Sequence, residues 1–213
     1  MKRQTTTVAA MSIAAIVGSP ALGGYTITQG ASAPTYTDFI LNFDEPGGPT
    51  GLVAPTAWLT SHGLTINAGD GAGQVDNWDI VHGAGWGLGD DNSFFGNFGV
   101  FMTFDVELIA MSIELWDPSG PPGPFGGGLS VFLFNDGVQV SSASVTPAWG
   151  GFGDSWFDLT TDGGDVFDEV RILGFGNDPT TYADNLSWDA VPAPGSLALL
   201  ALAGLVGRRR NRK

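Results

Sequence analysis

Apolar and polar residues alternate with a period of two along most of the chain between Tyr36 and Trp188. Residues 39–43 place phenylalanine or leucine at every second position, and residues 109–115 do the same with isoleucine, methionine and leucine. A period of two is that of a β-strand with one buried face, whereas an amphipathic helix has a period of 3.6. No helical pattern longer than a turn or two occurs here. The pattern therefore predicts an all-β body.

The predicted strands are short and lie between glycine-containing turns. Asn135-Asp136-Gly137 separates two of them and predicts a hairpin with a type I′ turn, which needs positive φ angles. Asp162-Gly163-Gly164 marks a second turn. About nine or ten strands between Tyr36 and Trp188 predict an antiparallel β-sandwich, with a jelly roll as the favoured arrangement. The predicted strands are residues 38–44, 63–67, 100–105, 109–116, 129–135, 138–145, 155–159, 166–175 and 181–188.

Two glycine-rich stretches interrupt this pattern. Residues 117–128 join two strongly predicted strands, and residues 82–99 form a longer stretch that carries Trp86 and three phenylalanines. Binding residues are found disproportionately on long loops that a rigid scaffold holds in place. We therefore expect both stretches to be loops, and we expect any binding site to use the longer one.

The charge of the predicted body excludes one class of partner. The chain has 213 residues, enough for one β-sandwich domain. Residues 24–190 contain all 22 acidic residues and a single basic residue, Arg171, which gives this part a net charge of −21. Such a surface repels phosphate backbones, so we expect no nucleic acid partner. Cysteine is absent, which excludes disulfides and thiolate chemistry.

The N-terminal residues have the three parts of a secretory signal peptide. Lys2 and Arg3 are followed by an apolar run over residues 8–17 and by the small residues Ser19 and Ala21. We expect cleavage after Ala21 or Gly23. The predicted organisation is therefore a signal peptide over residues 1–23, a β-sandwich domain over residues 24–190 and a separate C-terminal segment over residues 191–213.

The C-terminal segment also has three parts in a fixed order. A Val-Pro-Ala-Pro sequence at 191–194 precedes an apolar run at 197–206, and five of the last six residues are basic. A helix over residues 195–207 would be roughly 20 Å long, which is short for a hydrocarbon core of ~30 Å. The basic end favours a cytoplasmic position for the last residues. We expect transient membrane insertion through this short helix, followed by processing.

This tail, VPAPGSLALLALAGLVGRRRNRK, resembles the PEP-CTERM sorting signal of exported bacterial proteins. The resemblance rests on Pro192, Pro194 and the cluster Arg208, Arg209 and Arg210, with Ala193 where the commonest version has glutamate. It implies an exosortase, a membrane-embedded cysteine protease, as the processing partner. It also implies export, transient anchoring in the inner membrane, and a final location at the cell surface or outside the cell, often with extracellular polysaccharide.

Candidate catalytic residues are few. His62 and His82 have no partner at metal-ligand spacing, and no Gly-x-Ser-x-Gly sequence provides a nucleophile for a histidine triad. A glycosidase needs two carboxyl groups about 5–10 Å apart. Among 22 acidic residues no spacing singles out such a pair. A solvated anionic surface explains most of these acids.

The long glycine-rich stretch offers a better candidate for binding. It places Trp86 near Asp90, Asp91 and Asn92. A flat aromatic ring beside carboxylate and amide groups suits a sugar, whose C–H groups stack on the ring while its hydroxyls are hydrogen-bonded. Packing of the tryptophans at the ends of the core is the alternative.

The body has a second resemblance, to secreted jelly-roll modules of the carbohydrate-binding, galactose-binding-like kind. It rests on the early sequence Phe43-Asp44-Glu45 and on the closing sequence at 183–188, Ala-Asp-Asn-Leu-Ser-Trp. In several such modules acids of the first and last strands share a structural calcium ion. The resemblance implies a Ca²⁺ site of Asp44, Glu45 and Asp184. Their carboxylates provide the hard oxygen ligands that Ca²⁺ prefers. Projection of these acids into water is the alternative.

Two functional hypotheses of different classes follow. The first is a non-enzymatic exported protein of the cell surface or extracellular matrix, sorted by its tail and binding a glycan. The alternative is a secreted glycan-active hydrolase or lyase that uses loop carboxylates. A structural matrix protein without a small ligand is a third, plainer interpretation.

Overall fold

A computed structural model of the chain describes residues 24–30, 36–77, 92–116, 129–145, 156–174 and 181–192. Within these ranges nearly every regular element is a strand, and the one helix has four residues. The elements are β1 (Gly24–Gly30), β2 (Phe39–Leu41), β3 (Gly51–Val53), α1 (Leu59–His62), β4 (Leu64–Ala68), β5 (Gly73–Asp76), β6 (Ser93–Gly96), β7 (Val100–Trp116), β8 (Leu129–Asn135), β9 (Val138–Val145), β10 (Trp156–Asp162), β11 (Phe167–Gly174) and β12 (Thr181–Ala190).

The 17-residue strand β7 organises the fold. Its first half pairs with β4 and β11, and its second half pairs with β10 and β12. Beyond β11, the sheet adds β8 and then β9. Beyond β12, it adds β6, β5 and β3 in that order, and β10 pairs on its other side with β1. All of these pairings are antiparallel. Two groups of strands thus share β7 and form the antiparallel β-sandwich that the sequence predicts. The group on the first half of β7 contains β4, β11, β8 and β9, and the group on the second half contains β10, β1, β12, β6, β5 and β3.

The core lies between the strands and follows the period of two. In β4, Leu64 and Ile66 are fully buried while the residue between them is partly exposed, and β8 buries Val131 and Leu133 in the same way. One continuous apolar cluster extends from Leu41 of β2 to Trp188 of β12 and includes side chains of both groups of strands. Burial of this surface is the main favourable term in folding.

The predicted turns are confirmed. Asp136 and Gly137, which connect β8 to β9, have φ angles of 50° and 75°, the positive values that a type I′ turn requires. Gly163 and Gly164 also have positive φ, and the amide of Asp165 closes this turn on the carbonyl of Asp162.

Several element bounds differ from the prediction. The two strands predicted at 100–105 and 109–116 are one continuous strand, and the stretch 82–99 contains β6 rather than being a loop throughout. The described part of the chain contains no helix that is long and apolar enough to cross a membrane. The predicted signal peptide and the apolar C-terminal run lie outside the described residues.

Candidate functional site

The outer edge of β12 is shared by two short strands. β6 pairs with residues 181–183, and β2 pairs with residues 186–188. Asp184 and Asn185 lie between the two pairings, and Asp184 is opposite Glu114 in the register with β7. Asp184 is 1% exposed and Glu114 is 4% exposed. We call the group Asp44, Asn92, Glu114, Asp184 and Asn185 the carboxylate junction.

A β-bulge at Asn185 brings polar donors to the two buried carboxyl groups. The register of β12 against β7 shifts between Asp184 and Ser187, and Asn185 has a φ of 48°. Its backbone amide donates to Asp184 Oδ1 at 2.7 Å, and its side-chain Nδ2 donates to Glu114 Oε2 at 2.8 Å. Asparagine tolerates positive φ better than most residues, which explains why it occupies this position.

Asp44 enters the junction because the chain turns sharply after β2. Phe43 has a φ of 60°, and its side chain is buried against Trp58, with ring centroids 5.2 Å apart. Asp44 is therefore directed toward the start of β6, where its Oδ1 accepts a hydrogen bond from the backbone amide of Asn92 at 2.8 Å. The structure thus joins Asp44 and Asn92, two of the residues that the sequence predicted for binding.

Glu45 lies in the next turn. Its carbonyl accepts a hydrogen bond from the amide of Gly48 at 2.7 Å, and Gly47 has the positive φ of 78° that this turn needs. No described contact joins its carboxylate to Asp44 or Asp184. Among the described residues, no group of three or more histidine, cysteine, aspartate or glutamate side chains is arranged to hold a metal ion. The calcium site stays a prediction.

The predicted sugar-binding residues are only partly described. Trp86, Asp90 and Asp91 lie outside the described residues, whereas Asn92, which directly precedes β6, is half-buried. The amide of Asn92 is bonded to Asp44, so Asn92 itself belongs to the carboxylate junction.

Sequence reasoning missed Glu114 and Asn185. Glu114 occupies a polar position in an alternating strand, the kind of position that normally faces water, but it is almost fully buried. The only hint in the sequence was Asp-Asn within a closing strand, since these residues favour bulges and turns rather than regular strands.

His62 has contacts that hold α1 against β2. Its Nδ1 lies 2.8 Å from Ser61 Oγ, and its Nε2 lies 3.2 Å from the carbonyl oxygen of Ile40. The ring centroid is 6.2 Å from that of Trp188. A catalytic triad needs a carboxylate on one ring nitrogen. These contacts instead involve a hydroxyl and a backbone carbonyl.

A second polar site lies where β12 ends. The carboxylate of Asp189 accepts hydrogen bonds from the backbone amides of Thr37 and Asp38 at 3.0 and 3.3 Å. In return, Asp38 Oδ2 accepts a hydrogen bond from the amide of Ala190 at 3.1 Å. On the other side, the amide of Val191 donates to the carbonyl of Glu107 at 2.8 Å. We call residues 36–38 the strap.

The strap is fixed at both of its ends. The hydroxyl of Tyr36 donates to Asp158 Oδ1 at 2.5 Å, and the ring of Phe39, which follows the strap, stacks on Trp188 with centroids 5.4 Å apart. Burial raises the pKa of Tyr36 above its usual value of 10.0, and the hydrogen bond to the Asp158 carboxylate raises this pKa further. Tyr36 therefore keeps its proton, and with it this hydrogen bond, at an alkaline pH where an ordinary tyrosine is already ionised.

The chain beyond this site matches a known sorting motif. Residues 190–213 match the model of the PEP-CTERM protein-sorting motif. These residues form a PEP-CTERM motif. It begins at Ala190, the last residue of β12, and its Pro192 is described while Pro194, Arg208, Arg209 and Arg210 lie outside the described residues. The predicted sorting signal is confirmed, and it is the signal of an exported protein.

Comparison with solved structures finds carbohydrate-binding modules of low similarity. One, described in work on "the promiscuous specificity of the carbohydrate-binding modules from the beta-sandwich super family", is 10% identical with a TM-score of 0.28 over 75% of this chain and 63% of that module. Another, CsCBM6-3 from Clostridium stercorarium in complex with cellobiose, is 12% identical with a TM-score of 0.23 over 77% of this chain and 98% of that module. This chain thus spans less than two thirds of the first module. No curated protein matches the chain.

Proposed function

We propose that this protein is a non-enzymatic, exported β-sandwich protein, which an exosortase-type protease processes for the cell surface or extracellular matrix, and which binds a polysaccharide there. The observation that carries this proposal is the position of the PEP-CTERM motif, whose first residue, Ala190, is also the last residue of β12. No linker separates the sandwich from the motif. The machinery that handles the motif therefore carries the sandwich with it.

Mass spectrometry of both termini of the secreted form tests the processing. We expect a mature N-terminus near Gly23 or Gly24 and a C-terminus that lacks residues 208–213. Replacing Arg208, Arg209 and Arg210 by glutamine should impair membrane retention and orientation, because each positive charge favours the cytoplasmic side. An intact chain in the medium or envelope, or normal processing of the glutamine variant, contradicts the sorting role.

The proposed polysaccharide site lies at the carboxylate junction and uses Trp86, Asp90, Asp91 and Asn92. Its support is the hydrogen bond from the backbone amide of Asn92 to Asp44, which holds Asn92, a half-buried residue, at the junction. A site that combines an aromatic ring with few polar groups on a fixed scaffold suits a sugar. The net charge of −21 favours neutral over acidic polysaccharides.

A glycan array tests this site. Trp86→Ala and the double variant Asp90→Asn with Asp91→Asn should each abolish binding of the glycan that the native protein retains. Phe98→Ala is the matched control, because Phe98 is another aromatic residue of the same glycine-rich stretch and is 54% exposed. Equal loss in the control, or full binding by Trp86→Ala, contradicts the site.

The paired carboxyl groups Glu114 and Asp184 favour the second candidate, a glycan-active hydrolase or lyase. Residues directly opposite on adjacent strands have Cβ atoms about 5 Å apart, so their carboxyl groups can come within the roughly 5–10 Å that glycosidases use. Both groups are at most 4% exposed, however, which leaves little access for a sugar ring. Release of reducing sugar by the native protein, lost in Glu114→Gln, would establish this activity. Binding without release supports the first candidate.

A further inference from the structure

The first residues of the PEP-CTERM motif are held in the sheet. Ala190 pairs with Leu108 of β7, and its amide donates to Asp38 in the strap on the opposite side. The amide of Val191 donates to the carbonyl of Glu107. Residues 189–191 therefore lie between β7 and the strap, and hydrogen bonds hold them from both sides.

This arrangement is interrupted at Pro192. Proline has no amide hydrogen, so Pro192 itself can donate neither to β7 nor to the strap. Pro192 is also exposed, whereas Asp189 and Ala190 are partly covered. A change from a hydrogen-bonded to an unbonded backbone thus occurs between Val191 and Pro192.

Proteins that recognise a peptide in extended form bind it through main-chain hydrogen bonds. A segment whose amides already donate within a folded sheet must first separate from it, and cleavage of such segments follows their local opening. Carboxylate acceptors strengthen the bonds that oppose this opening, because charged acceptors form stronger hydrogen bonds than neutral ones.

We propose that the sandwich itself sets where the C-terminal segment is cut: the strap denies a protease the backbone of residues 189–191, so that cleavage falls on the C-terminal side of Pro192. Asp38 and Asp189 are the positioning residues. The proposal rests on the proposed exosortase processing for its biological role. The protection itself is a property of the fold.

Two substitutions of Asp38 that remove the same negative charge separate protection by the strap from a general effect of losing an acid. Asp38→Ala removes the acceptor for the amide of Ala190, whereas Asp38→Asn keeps an acceptor oxygen and loses only the charge. Asp70→Ala is the matched control, because Asp70 is an exposed acid that accepts from Asn97 Nδ2 far along the sequence from the strap.

The first experiment is limited digestion of the purified full chain, in mild detergent, with a broad-specificity endoprotease. Early products of the native chain and of Asp70→Ala should end at Pro192 or beyond. Asp38→Ala should give new C-termini at residues 189–191, formed about tenfold faster than in the native chain, as expected when a hydrogen bond that opposes opening is lost. Asp38→Asn should give an intermediate rate, because its neutral amide oxygen still accepts the hydrogen bond but more weakly than a carboxylate does.

Hydrogen exchange provides a second measurement that needs no protease. The amides of Ala190 and Val191 should be protected in the native chain, and about tenfold less protected in Asp38→Ala while the amides of β8 stay unchanged. This readout also shows whether the variant is folded. The proposal is overturned if the amides of Ala190 and Val191 exchange at the unprotected rate in the native chain. It is also overturned if early digestion products of the native chain end at residues 189–191.

Co-expression of the full chain with an exosortase tests the biological role. The native C-terminus should lie at Pro192 or beyond, and Asp38→Ala should add products that end upstream. A single, unchanged C-terminus in Asp38→Ala contradicts control by the strap. Absence of any processing in the native chain contradicts the proposed function instead, and the digestion and exchange results then decide whether the strap protects residues 189–191.

Discussion

Asn185 shows how one residue fixes the geometry of the carboxylate junction. It adopts positive φ at a bulge, donates through its amide to Asp184 and donates through its side chain to Glu114. A residue without a side-chain donor would withdraw one hydrogen bond from a buried carboxyl group, a loss that costs about 1–3 kcal/mol. The bulge therefore depends on the side chain of Asn185 as well as on its backbone.

We expect Asn185→Ala to lower the free energy of unfolding by about 2–4 kcal/mol. The variant loses the hydrogen bond to Glu114, and alanine is destabilised by the positive φ at this position. Asn185→Gly loses the same bond without the backbone penalty, so it should be about 1 kcal/mol more stable than the alanine variant. Urea denaturation of both variants measures the difference. Equal stability of the two variants would show that backbone conformation has no part in the effect.

Tyr36 predicts a dependence of stability on alkaline pH. Burial and the Asp158 carboxylate raise its pKa in the folded protein above the ordinary value of 10.0. Above about pH 10 the unfolded chain loses this proton while the folded protein keeps it, so stability falls as the pH rises toward the folded pKa. Below pH 10 the contribution is constant. The fall should be steeper in the native chain than in Tyr36→Phe.

Denaturation at about pH 8 and about pH 11 checks this expectation. A remaining slope in Tyr36→Phe is expected from Tyr25, whose pKa burial and the nearby Asp165 also raise. Tyr25→Phe therefore serves as the comparison. In the double variant Tyr25→Phe with Tyr36→Phe, the free energy of unfolding should depend least on pH. An identical slope in the native chain and in both single variants would contradict the assignment.

At the scale of elements, the β8–β9 hairpin depends on its turn. Gly137 has a φ of 75°, and a Cβ atom added there would meet nothing within 4 Å. The cost of a side chain is therefore conformational rather than steric. We expect Gly137→Ala to lower the free energy of unfolding by about 1 kcal/mol and Gly137→Asn to lower it less, because asparagine tolerates positive φ. Thermal denaturation of both variants provides the test, and a more stable alanine variant would contradict it.

This hairpin also shows which elements the sequence specifies by itself. β8 and β9 have the predicted bounds, because alternation and a turn of known chemistry are both local properties. β3, β5 and β6 have only three or four residues, and no period can be recognised over so short a length. Their strand conformation depends on pairing with neighbours that are distant in sequence, such as Phe95 of β6 with Gln74 of β5.

The candidate site follows the same division. The sequence pointed to Asp44 and Asp184 through short motifs, and the pairing of β2 with β12 brings that part of the chain close to the junction. Burial of Glu114 could not be predicted, because it depends on which elements cover the second face of β7 rather than on the alternation along that strand. The strap was missed for the same reason, since residues 36–38 and 189–191 come together only in the fold.

At the scale of the whole molecule, backbone amides take the place of missing bases. The body has one base, Arg171, which is paired with Glu169 and lies 4.2 Å from the ring centroid of Phe134. Carboxylates elsewhere in the described residues accept hydrogen bonds from backbone amides, as Asp44, Asp184 and Asp189 do. Such bonds stabilise each carboxylate singly but do not cancel the net charge of −21.

A divalent cation would reduce this repulsion, which gives the predicted calcium site its physical motive. Asp44 and Asp184 belong to the carboxylate junction, and Glu45 would have to turn toward them to complete the predicted set. We expect Ca²⁺ at a hundredfold excess over its Kd to stabilise the fold by about 2.7 kcal/mol, and so to raise the Tm by about 5–10 °C relative to a chelator. Ca²⁺ rather than Mg²⁺ should give this effect, because calcium accepts irregular oxygen coordination.

Substitutions locate the effect within the charged body. Asp44→Asn and Glu45→Gln should each reduce the calcium-dependent rise in Tm by more than half, since every carboxylate ligand contributes charge to the site. Asp70→Asn removes an exposed acid outside the junction and should keep the full rise, which distinguishes a defined site from general screening of the anionic surface. Glu45→Gln is the most informative variant, because Glu45 has no described contact with Asp44 or Asp184. A full rise in Glu45→Gln together with a lost rise in Asp44→Asn would remove Glu45 from the site, whereas equal Tm values in calcium and chelator would remove the site altogether.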